Sequence, residues 1–329
     1  MKHPDPHVAV IVPCYRVRDH ILGVLGLIGS TVSSIYVVDD ACPDDSGAFV
    51  EANCRDVRVV VLRNEQNLGV GGAVMVGYRA ALDHGADILV KIDGDGQMDP
   101  RLISLFTGPI IAGEADYTKG NRFYDIENLR GMPATRLFGN AVLSFMTKLS
   151  SGYWDLFDPT NGYTALHADV ARRLPMAKLS TRYFFESDML FRLNTLRAVV
   201  VDVPMEALYA GETSHLHAHL IAGEFCVKHA RNLLKRLFYN YYLRDMSIAS
   251  FELPLGLAML AFGIVFGARR WLESWHNGEL TSAGTVMLSA ITIIIGIQLL
   301  LAFLAYDIAS VPRHALHRKL KKLPRGNAS

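Results

Sequence analysis

Hydrophobic positions divide the chain into distinct regimes. From residue 7 to about residue 119, short β-branched runs alternate with longer segments of mixed polarity. The runs cover residues 8–12, 34–38, 57–62 and 88–92. Each has the length and continuous apolarity of a buried strand, and the intervals suit crossover helices. Asp99-Pro100 then opens a helix, with Asp99 as N-cap and Pro100 in the first turn. This β-α-β-α series predicts an α/β fold with a mainly parallel sheet covered by helices. Ligands in such sheets lie beyond the carboxyl ends of the strands, so the strand-end residues carry the candidate chemistry. Residues 120–215 are less regular, with several aromatics, prolines and glycines.

The C-terminal third follows another rule. In residues 225–244, apolar positions at helical spacing share the segment with Lys228, Arg231, Lys235, Arg236 and Arg244, and Tyr239, Tyr241 and Tyr242 cluster at its end. A basic amphipathic helix with a tyrosine belt fits a membrane surface, although a solvated domain helix has the same pattern. Residues 253–272 are nearly all apolar, and residues 283–306 carry no charge. Each stretch has the roughly twenty residues needed to cross a hydrocarbon core. The connector carries Arg269, Arg270, Glu273 and Glu279, and the tail carries Arg313, Arg318, Lys319, Lys321, Lys322 and Arg325. Positive charge before the first stretch and after the second predicts a hairpin with both ends in the cytosol. The expected organisation is a catalytic domain over 1–222, an amphipathic juxtamembrane helix over 223–250, a two-helix transmembrane hairpin over 251–308 and a basic cytosolic tail over 309–329.

Composition sharpens this picture. Lys+Arg 33 against Asp+Glu 32 gives +1 in 329 residues, so no global basic field points to nucleic acid. Charged residues make up 20%, and the mean hydropathy is +0.20, an excess concentrated in the two apolar stretches. Cys14, Cys42, Cys54 and Cys226 form no Cys-x-x-Cys pair, which argues against a zinc site and fits a reducing compartment. The first apolar run is strand-length and unlike a secretory signal, so the N-terminal domain is expected in the cytosol, at the inner face of a plasma membrane.

The chemistry gathers at strand ends. The first run closes on Pro13-Cys14-Tyr15, the second on Asp39-Asp40 and the fourth on Asp93-Gly94-Asp95-Gly96-Gln97. In an extended stretch Asp93, Asp95 and Gln97 share one side. Two carboxylates and an amide oxygen form a hard-oxygen set suited to Mg²⁺ or Mn²⁺, completed by substrate phosphates. Such an ion also stabilises a departing diphosphate. The glycine-rich Asn67-x-Gly69-x-Gly71-Gly72 is not a dinucleotide fingerprint, because position 74 is Val74 and the segment does not follow the first strand. It serves either as a helix entry where backbone approaches backbone or as a surface, Gly71 included, against which a nucleotide lies. His215-x-His217-x-His219 has metal-like spacing but is expected as ordinary loop residues.

Taken in order, these motifs resemble glycosyltransferase family 2, in the GT-A fold. They are most similar to the branch that includes dolichyl-phosphate mannose synthases and bacterial polyprenyl-phosphate glycosyltransferases. The match runs through Pro13-x-Tyr15, Val38-Asp39-Asp40, Asn67-x-Gly69-x-Gly71-Gly72-Ala73 and Asp93-x-Asp95-x-Gln97. It continues through Gly120-Asn121-Arg122, Arg136, Asp158-Pro159-Thr160-Asn161-Gly162-Tyr163 and Phe184-Phe185-Glu186-Ser187-Asp188, over roughly residues 7–245. The resemblance implies that Pro13, Tyr15 and Asp40, with Asp39, line the base and ribose of a nucleotide sugar. It implies that Asp93, Asp95 and Gln97 hold the metal on the diphosphate. Arg122 and Arg136 would meet the phosphate of a lipid acceptor, and the guanidinium fork suits that role. Asp95, Glu186 and Asp188 are the expected catalytic residues. Two departures stand out: Arg16-Val17 replaces an Asn-Glu pair common after the tyrosine, and His215 replaces a lysine in a loop of the mannose synthases.

The expected activity is inverting, metal-dependent transfer of a hexose from a UDP- or GDP-linked sugar to a polyprenyl phosphate at the cytosolic membrane face. A membrane polysaccharide synthase of the same fold lacks support, since no Gln-x-x-Arg-Trp motif is present and two spans are few for a translocating channel. A catalytically silent sugar-binding scaffold and a nucleotidyltransferase are the alternatives from other classes. A homo-oligomer is compatible with the sequence.

Overall fold

The four β-branched runs form parallel strands because each is apolar on both faces and each is followed by a helix. They are β1 (Val8–Cys14), β2 (Ser34–Asp39), β3 (Val59–Arg63) and β4 (Ile88–Lys91), with β1 paired to β2 on one side and β4 on the other. Helices α1 (Arg18–Gly26), α2 (Ser46–Asn53), α3 (Val70–Asp83) and α4 (Ile103–Ile111) follow them in turn. A short 3₁₀ turn, Pro100–Leu102, precedes α4, and Asp99 caps it by accepting a hydrogen bond from Arg101 N–H (2.9 Å). The structure, a computed structural model, describes residues 5–124, 134–206 and 218–320, without the side chains of 134–136 and 218–222.

The stretch that reads as irregular completes the sheet. It supplies β5 (Tyr117–Asn121), α5 (Ala134–Ser151), β6 (Thr164–His167), α6 (Ala168–Ala171), α7 (Phe185–Thr195) and β7 (Val200–Pro204). The strand order is β3-β2-β1-β4-β6-β5-β7, and among the described strands β6 alone runs antiparallel to its neighbours. Val10, Val12, Val37, Val90, Ile103 and Phe106 centre the main core, where Phe106 stacks on Tyr163 with centroids 3.9 Å apart. The register sets Lys91, Thr164, Lys119 and Asp202 in one row across β4, β6, β5 and β7. A sheet row shares one face, so two lysines, separated by Thr164, lie in the interior, both fully buried.

Two compact units emerge: Met1–Leu233 together with Pro312–Ser329, and Leu234–Val311. Helix α8 (Ala218–Phe238) begins in the first, and α11 (Leu316–Leu320) brings the tail back into it. The second unit holds a π-helical turn (Tyr239–Arg244), α9 (Ala249–Asn277) and α10 (Ala283–Ala309). Gly256 faces Gly296 across this pair, while Gly263 faces Ile293 and Gly267 faces Ser289, so the helices run antiparallel. Small residues let the backbones approach, as in membrane helix pairs. The 18-residue apolar windows of α9 and α10 are each only 11% buried, unlike core helices of a soluble domain. They are candidate membrane spans.

Helix α8 presents a mixed outer face, with Arg231 and Lys235 exposed beside apolar residues. His229, Asn232 and Arg236 are buried, whereas Val227, Leu234 and Phe238 are exposed. His229 Nδ1 lies 2.8 Å from Ser150 Oγ, and burial lowers its pKa to about 4. Arg236, expected on a headgroup-facing surface, instead donates from both Nη atoms to Asp307 (2.6 and 2.9 Å). Helix α5 follows suit, burying Thr147, Ser150 and Ser151 while exposing Phe138, Val142 and Phe145.

Candidate active site

The carboxyl ends of β1, β2 and β4 open into a cleft of about 640 Å³ that gathers Pro13, Tyr15, Asp40, Asp93 and Asp95. Asn67, Gly69 and Val70 form one wall; Arg16 and His20 lie near the β1 end, and Arg182 and Tyr183 complete the lining. Tyr15 is exposed at the end of β1. The next residue, Arg16, adopts a left-handed φ of 58°, and its N–H donates to Cys42 Sγ (3.0 Å). Below it, burial pushes the Cys14 thiol up to about 12, so it stays protonated and inert.

The paired aspartates at the end of β2 separate by strand alternation. Asp40 lines the cleft, and its carboxylate accepts from Asn64 Nδ2 (2.7 Å), Leu68 N–H (2.9 Å) and Gly69 N–H (2.7 Å). It therefore shapes the glycine-rich loop. Asp39 turns the other way and accepts from the N–H groups of Cys42 (2.8 Å) and Gly47 (2.7 Å), anchoring the loop into α2. It is not among the residues that line the cleft. Gly71 also lies outside the lining. A Cβ there would stand 2.6 Å from both the Phe185 ring and the Ser180 carbonyl, so this glycine permits close packing of α3 against the chain around α7. That is the helix-entry alternative.

At the end of β4, Asp93 and Asp95 both face the cleft, while Gln97 lies outside its lining. Asp95 Oδ1 accepts from Gln97 N–H (3.0 Å), a tight turn that presents the two carboxylates together. Among the described residues no group of three or more His, Cys, Asp or Glu side chains gathers as a metal cage. Two carboxylates on one open wall nevertheless fit Mg²⁺ or Mn²⁺, hard ions that keep water and take their remaining oxygens from substrate phosphates.

Beneath Asp93 lies a group with no assigned role in the sequence reading. Lys91 Nζ is 2.8 Å from Asp93 Oδ1 and 3.5 Å from Glu186 Oε1, and it donates to Gly162 O (3.2 Å). Burial alone would lower its pKa, but Asp93 and Glu186 outweigh burial and raise it, so the ammonium is fixed. Lys119, two strands along the same row, donates to Asn161 O, and burial lowers its pKa to about 8. Lys91 bridges β4 and α7, linking the cleft residue Asp93 to Glu186, which lies outside the cleft lining. Asp188, two residues on, accepts instead from Ser180 N–H (2.9 Å), Arg192 Nε (3.2 Å) and Asn232 Nδ2 (3.1 Å). Its carboxylate ties α7 to α8 and, like that of Glu186, is not among the cleft-lining groups.

Arg122 leaves the end of β5 and meets Asp158 with two donors, Nε (2.7 Å) and Nη2 (3.1 Å). Beside it, Phe123, Leu137, Phe145, Lys148 and Phe157 line a largely apolar pocket of about 260 Å³. Arg122 is outside the 640 Å³ cleft lining. Arg136 falls in α5, but its side chain lies outside the described residues, as do the side chains of His215, His217 and His219.

The family described as "Glycosyl transferase family 2" matches residues 9–174 of the chain. A UDP-N-acetylglucosamine–dolichyl-phosphate N-acetylglucosaminyltransferase of Methanococcus voltae is 29% identical over 219 residues, covering 62% of this chain and 87% of the relative. An undecaprenyl-phosphate mannosyltransferase of Micrococcus luteus is 31% identical over 202 residues, covering 60% and 82%. Among solved structures, mannosyl-3-phosphoglycerate synthase of Rubrobacter xylanophilus aligns with a TM-score of 0.53 at 18% identity, over 74% of this chain and 77% of that one. Glucosyl-3-phosphoglycerate synthase of Mycobacterium tuberculosis, in complex with Mn²⁺, UDP and phosphoglyceric acid, aligns at 0.50 and 20% identity, over 70% and 78%. These structural likenesses establish the fold.

Proposed function

The chain belongs to glycosyltransferase family 2, and from that premise we propose that it transfers a hexose from a nucleotide sugar to a polyprenyl phosphate at the cytosolic face of a membrane. One observation carries the reading: a strand-end cleft with two adjacent carboxylates occurs in a chain that also carries two apolar helices of spanning length. The relatives named as polyprenyl-phosphate sugar transferases support the acceptor class.

In this reading Pro13 and Tyr15 receive the base and ribose, with the loop shaped by Asp40 along one side. Asp93 and Asp95 hold a divalent cation, which supplies charge neutralisation to the departing diphosphate. Lys91 keeps Asp93 and Glu186 at fixed separation beneath the sugar. Arg122, braced by Asp158, receives the acceptor phosphate, with the apolar pocket at Phe123 and Phe145 beside it for the first prenyl units; Arg136 joins it there. The acceptor's phosphate oxygen attacks C1 of the hexose, the bond from C1 to the diphosphate oxygen breaks, and nucleoside diphosphate leaves with inversion. A phosphate monoester has a second pKa of about 6, so the nucleophile arrives ionised and needs no strong general base. The enzyme's work is positioning and electrostatic stabilisation. The exposed apolar faces of α5 and α8 would sink into the interface.

The test is incubation of the full-length protein with a panel of UDP- and GDP-sugars and undecaprenyl phosphate, followed by mass analysis of the lipid. A hexosyl-phosphoprenol together with free nucleoside diphosphate is expected. Release of pyrophosphate, or turnover without a lipid product, would overturn the reading.

A further inference from the structure

The segment after the second candidate span is built into the first unit instead of trailing from it. Asp116, fully buried just before β5, accepts from the N–H groups of Leu316 (2.7 Å), His317 (2.8 Å) and Val199 (2.8 Å), and lies 2.7 Å from His317 Nδ1. Burial works against its charge, but these hydrogen bonds prevail and hold the carboxyl below its ordinary pKa. The His317 ring stacks on His167 with centroids 4.1 Å apart. The clasp fixes what flanks it. Arg313, His314, Arg318 and Lys319 surround a pocket of about 520 Å³ whose other wall is Gly113 and Glu114. Gly113 has a φ of +75°, and a Cβ there would stand 2.9 Å from Arg318 Cδ, so the glycine gives room for the arginine stem.

Three permanent cations and one carboxylate make this pocket selective for anions. Its position along the chain restricts which anion. Helix α10 ends at Ala309, and its charge-free run ends at Tyr306. Arg313 is four positions further, within about 14 Å of extended chain. The polar headgroup layer beyond the hydrocarbon core is about 5–8 Å deep on each side, and charges act over about 8 Å at physiological salt. We propose that this pocket binds the headgroup of an anionic phospholipid, with its phosphate among Arg313, Arg318 and Lys319. This site stands apart from the transferase reading, since none of its residues belongs to the donor cleft or the Arg122 pocket.

Native mass spectrometry of the full-length protein in detergent, titrated with phosphatidylglycerol or phosphatidylcholine, reads the preference directly. Each basic side chain near an anionic surface contributes about 1 kcal/mol, roughly a fivefold change. R313Q/R318Q/K319Q should therefore weaken phosphatidylglycerol binding by at least about tenfold while leaving phosphatidylcholine unchanged. E114Q should strengthen phosphatidylglycerol binding several-fold, a sign that loss of folding cannot imitate. The substituted cations are exposed, so melting temperatures should match the wild type. Unchanged phosphatidylglycerol binding in the triple variant overturns the proposal. So does equal competition by inorganic phosphate, which would make the pocket a site for a free anion.

Discussion

Replacement of Lys91 by methionine isolates the contribution of the ammonium beneath the candidate site. The side chain is 1% exposed and lies 2.8 Å from Asp93 Oδ1 and 3.5 Å from Glu186 Oε1. Methionine keeps most of the volume and removes the charge, leaving Glu186, 13% exposed, without its nearest cation. Breaking a buried ion pair costs about 3–5 kcal/mol. Asp93 is 29% exposed and recovers part of its hydration, which favours the lower end of that range. For a unit of this size about 3 kcal/mol corresponds to a fall of roughly 6–12 °C in melting temperature. The assay is thermal unfolding of the full-length protein in detergent, paired with calorimetric titration of nucleoside diphosphate and Mn²⁺. K91M should melt lower and bind nucleotide more weakly, because Asp93 loses the contact that orients it. Arginine should not rescue, since even a Cβ on Gly162 would stand 2.4 Å from the lysine Nζ. In K91M/E186Q the second substitution neutralises the stranded carboxylate, so the two should couple by about 0.5–3 kcal/mol. Wild-type melting in K91M, or strict additivity with E186Q, would refute the reasoning.

Asp95→Asn should preserve folding but cut turnover by orders of magnitude, since loss of a charge-bearing metal ligand removes several kcal/mol of transition-state stabilisation; full activity in EDTA would contradict it. Asp158→Asn should raise the KM for polyprenyl phosphate by loosening Arg122, with donor affinity by calorimetry near normal. Asp116→Asn should free the tail, read as faster hydrogen exchange at Leu316 and His317. The wild-type carboxyl is held below its ordinary value of 3.8, so the stability gap between the two proteins should be complete above that pH and shrink as pH falls through the depressed value. Single cysteines at positions 277 and 327, in a background lacking the native four, should differ in intact cells, with 277 labelled from outside and 327 only after permeabilisation.

What could be read from the sequence follows from how each element is buried. Strands β1, β2 and β4 lie inside the sheet and spell continuous apolar runs, and the central stretches of α9 and α10 are apolar on all sides. Strands β5 and β6 resisted reading because their interior positions include Lys119 and Thr164, whose burial depends on partners far along the chain. Neighbouring acids were the other ambiguity. Successive residues of a strand point to opposite faces, so Asp39 and Asp40 cannot share one role, yet the sequence does not say which faces the cleft. Glu186 and Asp188 lie about 200° apart around a helix, and the same uncertainty applies. The burial of Arg236 has no local signature, because its partner, Asp307, is 71 positions away.

The outward apolar residues of α8 and the clasped tail bear on the topology from two sides. In water α8 would be poorly designed, since it buries His229, Asn232 and Arg236 and exposes Val227, Leu234 and Phe238. Each buried polar group has a bonded partner, in Ser150, Asp188 and Asp307, so burial carries no unpaired charge. The outward apolar residues have no such compensation in water and would gain it against an apolar phase. The chain leaves the first unit after Leu233 and re-enters it at Pro312. Any membrane crossed between those points must be crossed an even number of times, or Asp116 and His317 would stand on opposite sides. Two helices of 29 and 27 residues meet that parity with length to spare. The buried clasp that follows the second candidate span thus bears on topology independently of the charge bias of the flanks, and a one-span or three-span arrangement would require it to open.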